Sequence, residues 1–394
     1  MDKHPFADEV VAIYKELHRH PELSLHEFAT SRKIKHWLSE KSIQLRKSQL
    51  ATGAVAQITG DPDGPVVGLR ADIDALPIQE QTDLPYRSQN DGVMHACGHD
   101  FHTASLLGAA FLLKEQENKL PGSVRFIFQP AEETGHGGIK MIADGQLDGL
   151  AAMIGIHNKP DLPVGTLGIK AGPLMAACDK FKVVFRGIGG HAAIPEKTKD
   201  PIVAAASFIQ SIQSVVSRNI SPKHEAVVSV TSIHGGEVWN VLPASVELLG
   251  TVRTFYDEDR KQIIDRFERF AEGFKRAYDV SIDVEWGQGT PSVLNDESLA
   301  KVIAQANQET ARVVVPELSV AGDDFSTFQR KVPGVFVFVG SSGPEDWHHP
   351  RFQVDPQGLP VATYFYYRSA MAVLRALRSN MNGARAVEQR KRGE

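Results

Sequence analysis

A thiol and two imidazoles lie close together in the segment HACGHD at residues 95–100. Sulfur and imidazole nitrogen suit borderline metal ions, and a thiol beside an imidazole can also be an activated nucleophile. Cys97 and His99 are two positions apart, so both can face one ion only from a loop, which Gly98 allows. The segment therefore predicts a metal site or a reactive thiol, with a buried, inert cysteine as the third interpretation.

Two adjacent carboxylates, Glu132 and Glu133, follow the apolar run 124–129 and precede the glycine-rich residues 135–138. Neighbouring acids in a loop are most often simply solvated. Here, however, the glycines allow the backbone to approach a ligand closely. One carboxylate of such a pair can bind a metal while the other faces the substrate as a general base.

Histidines follow two further apolar runs. His157 ends the run 153–157, and the segment WHHP at 347–350 follows the run 335–339. A lone histidine at such a place is more often a hydrogen-bonded structural residue than a ligand. In the company of Cys97 and two carboxylates, these imidazoles favour a metal site.

The apolar runs are the predicted strands of one sheet. Helical patterns separate them, among them 101–113, for which Asp100 is the predicted N-cap. This alternation is typical of an α/β domain with a mostly parallel sheet that helices cover on both faces. Ligands of such sheets bind at the carboxyl ends of the strands, which is where the polar residues follow. The predicted strands are Val66–Asp72, 124–129, 153–157 and 335–339.

The middle of the chain has a different order of elements. A strand, a helix, two strands, a helix and a strand follow one another between residues 181 and 286, which is the order of a ferredoxin-like α+β unit. A segment of about 110 residues can fold as a domain of its own. We therefore predict a catalytic domain formed by residues 1–178 and 292–394, with a second domain, residues 179–291, inserted into it.

The composition is that of an ordinary globular protein, with 42% hydrophobic and 23% charged residues. A chain of 394 residues is too long for one core and predicts two domains. The net charge of -5 gives no reason to expect nucleic acid or an anionic membrane as a partner. The polar N-terminus, the absence of a long apolar run and only two cysteines predict a cytoplasmic protein without a disulfide framework.

Five segments carry a resemblance to one family. They are LHRHPE at 17–22, RADIDALP at 70–77, HACGHD at 95–100, QPAEE at 129–133 and the region of His348. The chain resembles the dinuclear-metal amidohydrolases related to aminoacylases and carboxypeptidases, in the branch of hippurate hydrolases, N-acetyl-amino-acid deacetylases and auxin–amino acid conjugate hydrolases. Several long motifs in the right order make the resemblance specific. It implies a metallo-exopeptidase-like catalytic domain and an inserted lid domain.

The resemblance implies a site for two divalent ions, either manganese or zinc, with cobalt or nickel as further options. Cys97 would bridge the two ions. Glu133 and His348 would complete one ion, and His99 and His157 would complete the other.

The resemblance also implies roles beside the ions. Glu132 would take a proton from the activated water and return it to the departing amine. Asp72 would orient a ligand, and Arg70 stands where most peptidase relatives have a histidine. His348 rather than His349 matches the family's ligand, which normally lies two residues before the proline. Positioning or structural roles are predicted for His18, His20, His95, His102 and His136.

The inserted domain is implied to supply further groups. His191, in GGHAA at 189–193, resembles the lid histidine that stabilises the oxyanion, either in the same chain or across a homodimer formed by this domain. Asn240 and Arg253 match positions that bind the substrate carboxylate, although a surface charge is the other interpretation of Arg253. Asp323 stands where the family usually has a glutamate.

Four functions are compatible with these residues. The first is hydrolysis of an N-acyl amino acid to a carboxylic acid and a free amino acid. The second is a dipeptidase or carboxypeptidase on the same metal site, and the third is a thiol enzyme that uses Cys97 with His99 or His157. The fourth is a binding protein of this fold, against which the retention of Glu132 and every proposed ligand argues. A metal enzyme loses activity in chelator, whereas a thiol enzyme does not.

Overall fold

The computed structural model describes residues 5–287 and 289–392, the last ten of these by their backbone alone. Contacts between Cα atoms divide the chain into two compact units. Unit 1 contains the described residues up to Gly172, the segment Leu294–Glu317 and the described residues from Asp324 onward. Unit 2 contains Pro173–Val293 and Leu318–Asp323. The domain boundaries at 178/179 and 291/292 stay predictions from the sequence.

Helices and strands alternate along most of the described chain. The helices are α1 (Ala7–Arg19), α2 (Phe28–Glu40), α3 (His99–Glu115), α4 (Gly137–Ala143), α5 (Pro201–Asn219), α6 (Asp257–Tyr278), α7 (Glu297–Asn307), α8 (Phe325–Gln329) and α9 (Leu359–Arg392). The strands are β1 (Gln44–Leu45), β2 (Ala54–Thr59), β3 (Val66–Asp72), β4 (Ser123–Gln129), β5 (Leu150–Lys159), β6 (Thr166–Gly168), β7 (Gly172–Met175), β8 (Ala177–Arg186), β9 (Gly190–His191), β10 (Ala226–His234), β11 (Val241–Leu242), β12 (Ser245–Thr254), β13 (Ser281–Trp286), β14 (Val293–Asn295), β15 (Arg312–Val314) and β16 (Gly334–Gly340). Over residues 5–287 and 289–392, no helix has the length and apolar character needed to cross a membrane.

Unit 1 is built on an eight-stranded sheet in the order β1-β2-β4-β3-β5-β16-β6-β15. The four central strands, β4, β3, β5 and β16, run parallel, which confirms the predicted mostly parallel sheet. Every residue of β4 and β16 is buried, because strands of a parallel sheet have other elements on both faces. Antiparallel pairing appears toward the margins, where β2 joins β4 and β6 joins β16.

Helix α3 is buried around its whole circumference from His99 to Leu113, because it packs against β3, α1 and α9. The prediction that Asp100 is its N-cap is wrong. Gly98, in the left-handed region at φ +82°, occupies the cap position, so the helix already begins at His99. Asp100 lies in the first turn instead, where its carboxylate accepts a hydrogen bond from the Phe101 N–H.

Unit 2 contains a four-stranded antiparallel sheet in the order β10-β12-β8-β13. Its elements follow one another as β8, α5, β10, β12, α6 and β13, which confirms the predicted order of strands and helices. Both helices pack against the sheet. Phe181, Val183 and Phe185 alternate along β8 toward this core, as expected for a sheet with one covered face.

A buried ion-pair network joins α1 to the start of α3. The ring of His18 donates from Nδ1 to Asp100 Oδ2 at 2.7 Å and lies 3.2 Å from Glu80 Oε1 through Nε2. Glu80 also accepts hydrogen bonds from the Ser88 N–H and the Thr82 hydroxyl. Burial lowers the pKa of His18, but the hydrogen bonds and charges of Asp100 and Glu80 outweigh it and raise the pKa to about 9. His18 is therefore an imidazolium that holds two buried carboxylates together.

His18→Gln should lower the free energy of unfolding at pH 6.5 by about 3 kcal/mol, because Asp100 and Glu80 would lose their cation. A group whose pKa is raised on folding stabilises fully below its unfolded pKa and loses this effect as the pH rises through its folded pKa. The wild-type protein should therefore lose more stability than the variant between pH 6.5 and 9, as measured by urea unfolding in EDTA.

His36→Gln is the matched control for this change. The imidazole of His36 is exposed and pairs with Glu40 one turn away, so its loss should cost less than about 0.5 kcal/mol. A His18 variant with the stability and pH slope of the wild type would contradict the imidazolium assignment.

Candidate metal centre

The predicted ligands gather at one edge of the unit 1 sheet. Strands β3 and β4 end at Asp72 and Gln129, and the short turn Glu132–Thr134 follows β4 directly. His157 lies near the carboxyl end of β5, in register with Phe338 on the parallel neighbour β16. Because parallel strands end at the same edge of a sheet, residues distant in sequence converge there.

One group of candidate ligand atoms comes from Cys97, His99 and His157. These atoms all lie within 4.8 Å of one another, and the distance from Cys97 Sγ to His157 Nε2 is 3.5 Å. All three side chains are buried. Burial lowers the pKa of His157, with a further contribution from His102, which keeps the imidazole in the neutral form that binds metals.

A second group consists of Cys97, Glu133 and His348, again within 4.8 Å of one another. His348 Nε2 lies 3.5 Å from Glu133 Oε1. His349 faces elsewhere, since its Nδ1 accepts from the Arg351 N–H and lies 3.8 Å from a carboxylate oxygen of Glu345. Cys97 is the member that the two groups share.

Backbone carbonyls orient the buried imidazoles. His99 Nδ1 lies 2.9 Å from the carbonyl oxygen of Asp74, and His157 Nδ1 lies 2.8 Å from that of Asn158. A carbonyl oxygen can only accept, so in both rings Nδ1 carries a proton and Nε2 is the nitrogen left to bind a metal. Metal-binding histidines are held in this way.

The chemistry of this cluster fits divalent metal ions. His99 Nε2 and Glu133 Oε1 are buried and have no hydrogen-bond partner among the described residues. Leaving such an atom unsatisfied costs about 1–3 kcal/mol. A bound metal ion would offset this cost at both atoms. Sulfur, nitrogen and carboxylate oxygen together form a donor set that suits zinc, manganese, cobalt or nickel.

The surroundings of Cys97 do not activate a nucleophile. Burial, followed by the charge of Glu133, raises the pKa of the Cys97 thiol well above its usual value. Reactive cysteines need the opposite shift. A cation bound at the site would instead stabilise the thiolate, so the environment favours a metal ligand over the thiol-enzyme alternative.

Glu132 lies beside the two groups on a strained turn. Ala131, just before it, adopts the left-handed conformation at φ +57°. The buried carboxylate of Glu27 accepts a hydrogen bond of 2.8 Å from the Ala131 N–H and so holds this turn. Candidate ligand atoms of Glu132, His99 and Glu133 lie within 4.8 Å of one another, which places a carboxylate where a general base is needed.

Asp72 lies beside two of the imidazoles near the candidate ligands. Its Oδ1 accepts from His102 Nδ1 at 2.6 Å, and its Oδ2 lies 3.8 Å from His99 Nε2. His102 Nε2 accepts from the Asn158 N–H at 2.8 Å. Burial would raise the pKa of Asp72, but the guanidinium of Arg70 outweighs this effect and holds the pKa well below its usual value. Asp72 is therefore an anion that orients the surrounding imidazoles.

Sequence reasoning missed several residues of this site. Asp74 accepts from the Ser24 hydroxyl and the Glu133 N–H, and Asn158 donates to the Cys97 carbonyl. Asp74 lies inside the RADIDALP segment, and Asn158 directly follows His157. Their positions next to candidate site residues could have marked both as part of the site. Asp324 follows Asp323 in the segment that resembles the family, but the sequence assigned it no role, because its contacts are with distant residues.

The remaining predicted residues lie in unit 2. His191 is exposed on β9, opposite Val241 in register, and its Nδ1 accepts from the Ala193 N–H. The carbonyl of Asn240 accepts from the Ala192 N–H. Arg253 on β12 is half-buried, burial lowers its pKa, and Asp323 is buried.

Several known proteins are similar to this chain over almost its whole length. The profile of Peptidase family M20/M25/M40 matches residues 68–372. An N-acetyl-L-cysteine deacetylase of Bacillus subtilis is 49% identical over 93% of this chain and 88% of its own length. An N-acetylcysteine deacetylase of the same species is 48% identical, covering 95% and 99%. A solved Bacillus subtilis structure, a dinuclear metal binding peptidase from the M20 family, is 44% identical with a TM-score of 0.87, covering 95% and 99%.

Gly98→Ala should destabilise the protein by about 3 kcal/mol and lower its metal content. The residue has φ +82°, and an added Cβ would lie 2.3 Å from Asn158 Nδ2. That nitrogen donates to the Cys97 carbonyl at 2.5 Å, so moving it displaces Cys97. Thermal unfolding and metal analysis by plasma emission spectrometry measure the two effects.

Gly149→Ala separates backbone strain from the clash. Gly149 has φ +80° with nothing within 4 Å of its added Cβ, so only a strain of about 1 kcal/mol is expected, with normal metal content. Equal metal loss in the two variants would contradict the role of Gly98.

Proposed function

The chain belongs to Peptidase family M20/M25/M40, and from this membership and the geometry of unit 1 we propose that it hydrolyses the amide bond of N-acyl amino acids. The products are a carboxylic acid and a free amino acid. One observation carries the proposal, namely that two groups of ligand atoms share Cys97 while Glu132 lies beside them. The deacetylases that are 49% and 48% identical support the same substrate class.

We assign the five ligands to two divalent ions. Cys97, His99 and His157 would hold one ion, and Cys97, Glu133 and His348 would hold the other. The grouping of ligand atoms supports this assignment, and the solved relative that is a dinuclear metal binding peptidase supports the number of ions. Manganese or zinc is the proposed metal, with cobalt or nickel as the alternatives.

Two bound ions would supply Lewis-acid activation of a water molecule and of the acyl carbonyl. Glu132 takes a proton from this water as its oxygen adds to the carbonyl carbon. Glu132 then delivers the proton to the nitrogen as the C–N bond breaks, which releases the amino acid as an amine. The oxygen of the water remains in the carboxylic acid product.

Three polar residues of unit 2 are proposed to bind the substrate. His191 Nδ1 accepts from the Ala193 N–H, so in the neutral ring the proton is on Nε2, which can donate to the developing oxyanion. Arg253 is half-buried. Among the described residues, its side chain has no ion-pair or hydrogen-bond partner. An unpaired guanidinium suits the substrate carboxylate, and Asn240 is assigned to the same carboxylate.

Assembly and location stay predictions. We propose a homodimer formed through the inserted domain, and the exposed apolar side chains Val227 and Ile233 on the edge strand β10 support this. In such a dimer, His191 would act either on the site of its own chain or on that of the partner chain. A cytoplasmic location rests on the sequence alone.

Metal-reconstituted protein should hydrolyse some acetyl, benzoyl, indole-acetyl or succinyl amino acids faster than dipeptides. Activity should disappear in chelator and return with added Mn²⁺, Zn²⁺, Co²⁺ or Ni²⁺, because the ions activate the water. Release of free amino acid measures turnover. Faster cleavage of dipeptides would favour the peptidase alternative, and full activity in chelator would favour the thiol enzyme.

The neighbouring carboxylates provide a matched pair of variants. Glu132→Gln should lower kcat by about 10³-fold with unchanged metal content, because only the general base is lost. Glu133→Gln should lose activity together with bound metal, because a ligand is removed. Steady-state kinetics and metal analysis distinguish the two. Substantial turnover by the Glu132 variant would contradict its assignment as the base.

A further inference from the structure

The guanidinium of Arg70 lies fully buried at the centre of the unit 1 sheet. Its Nε donates to Gln129 Oε1 at 2.8 Å, its Nη1 to Asp72 Oδ2 at 2.6 Å and its Nη2 to Asp324 Oδ1 at 3.0 Å. A buried cation is costly unless hydrogen bonds and opposite charge compensate it. These contacts therefore fix the positions of both carboxylates.

The carboxylate of Asp324 is held by donors on both oxygens. Gln129 Nε2 donates to Oδ1 at 2.7 Å and to Oδ2 at 2.9 Å, and the Gly138 N–H donates to Oδ2 at 2.7 Å. With the contact from Arg70, each oxygen accepts at least two hydrogen bonds. In an asparagine at this position, the amide nitrogen would replace one of these oxygens. It would then face N–H groups from which it cannot accept a hydrogen bond.

The backbone of the same residue reaches the proposed base. The N–H of Asp324 donates to Glu132 Oε1 at 3.3 Å. Carboxylate oxygens of Glu132 and Asp324 lie within 4.8 Å of each other, so the charge of Arg70 also offsets their mutual repulsion.

We propose that Asp324, anchored by Arg70 and Gln129, is the positioning residue for the Glu132 carboxylate. The proposal rests on the proposed function, in which Glu132 moves the proton. Holding one oxygen of Glu132 against a fixed N–H sets where the carboxylate meets the water and the leaving nitrogen. Misplacing a catalytic group by about 1 Å can cost about 10²-fold in rate.

Arg70 also contacts the candidate metal ligands indirectly, through a second set of hydrogen bonds that begins at Asp72. Asp72, which Arg70 contacts, accepts from His102, and His102 accepts from the Asn158 N–H. Changes at Arg70 therefore act on the base and on the ligands together. Changes at Asp324 reach the base directly through its own N–H, whereas they reach the ligands only by way of Arg70 and Asp72. We therefore expect their effect on kcat to exceed their effect on metal binding, and this difference separates a positioning role from a general structural one.

Asp324→Asn should lower kcat by about 10- to 100-fold, with KM within twofold of the wild type and metal content unchanged. Arg70→Lys keeps the charge but loses the fork of donors, so it should lower both kcat and metal affinity. Kinetics on the best substrate of the panel, metal analysis and competition with a chelator measure these quantities. Loss of metal from the Asp324 variant, or a wild-type kcat, would overturn the proposal.

A double variant tests whether Asp324 acts through Glu132. If it does, adding Asp324→Asn to Glu132→Gln should leave the residual rate unchanged, because the base is already absent. Additive losses in kcat would overturn the proposal. If Asp324→Asn does not fold, Gln129→Met removes one donor from each Asp324 oxygen and leaves those of Arg70 and Gly138 in place. A loss of kcat with the same non-additivity is again expected.

Asp144→Asn is the matched control. Asp144, also in unit 1, accepts from the Ser48 hydroxyl, the Gln49 N–H and Gln146 Nε2. In its variant, too, an amide nitrogen would face hydrogen-bond donors. It should lose stability while keeping the wild-type kcat. Any amide that the wild type hydrolyses suffices for these comparisons. An inactive wild type would refute the proposed function, whereas an active wild type with a normal Asp324 variant refutes only the positioning role.

Discussion

A guanidinium buried inside a sheet must have its donors paired, and around Arg70 this requirement organises the whole site. Asp72 and Asp324 supply the opposite charge, and Gln129 supplies a further acceptor. From Asp72 the hydrogen bonds continue toward the candidate ligands, and from Asp324 they continue toward Glu132. Water cannot replace these partners in a dry core, so one cation sets the geometry on both sides of the reaction centre.

The candidate ligands differ in how firmly the protein holds them. His99 and His157 are buried, and backbone carbonyls fix both their orientation and their tautomer. His348 is more exposed and adopts a positive φ, and its backbone N–H binds the carbonyl of Ala96. Of the two groups that share Cys97, one is therefore fully buried, and the other contains one exposed ligand, His348.

Much of the fold was predictable because its signals are local. The structure gives Val66–Asp72 the predicted bounds, since runs of β-branched and apolar residues favour strands wherever they occur. The start of α3 was not predicted correctly, because the left-handed conformation of Gly98 ends the loop before Asp100 can cap the helix. Asp324 escaped prediction because its partner Arg70 is 254 positions away.

The sequence by itself determined the chemistry available to this protein, a shared thiol, imidazoles and paired carboxylates placed after the strands of a mostly parallel sheet. These features depend on residue type and short spacing. Only the tertiary structure decided that His348 rather than His349 lies beside Glu133, that Nε2 of His99 and His157 faces the site, and that the Asp324 N–H donates to Glu132. The contacts of His348, His99 and Asp324 join segments far apart in the chain, and that of His157 depends on the orientation of its own backbone, so no local pattern encodes them.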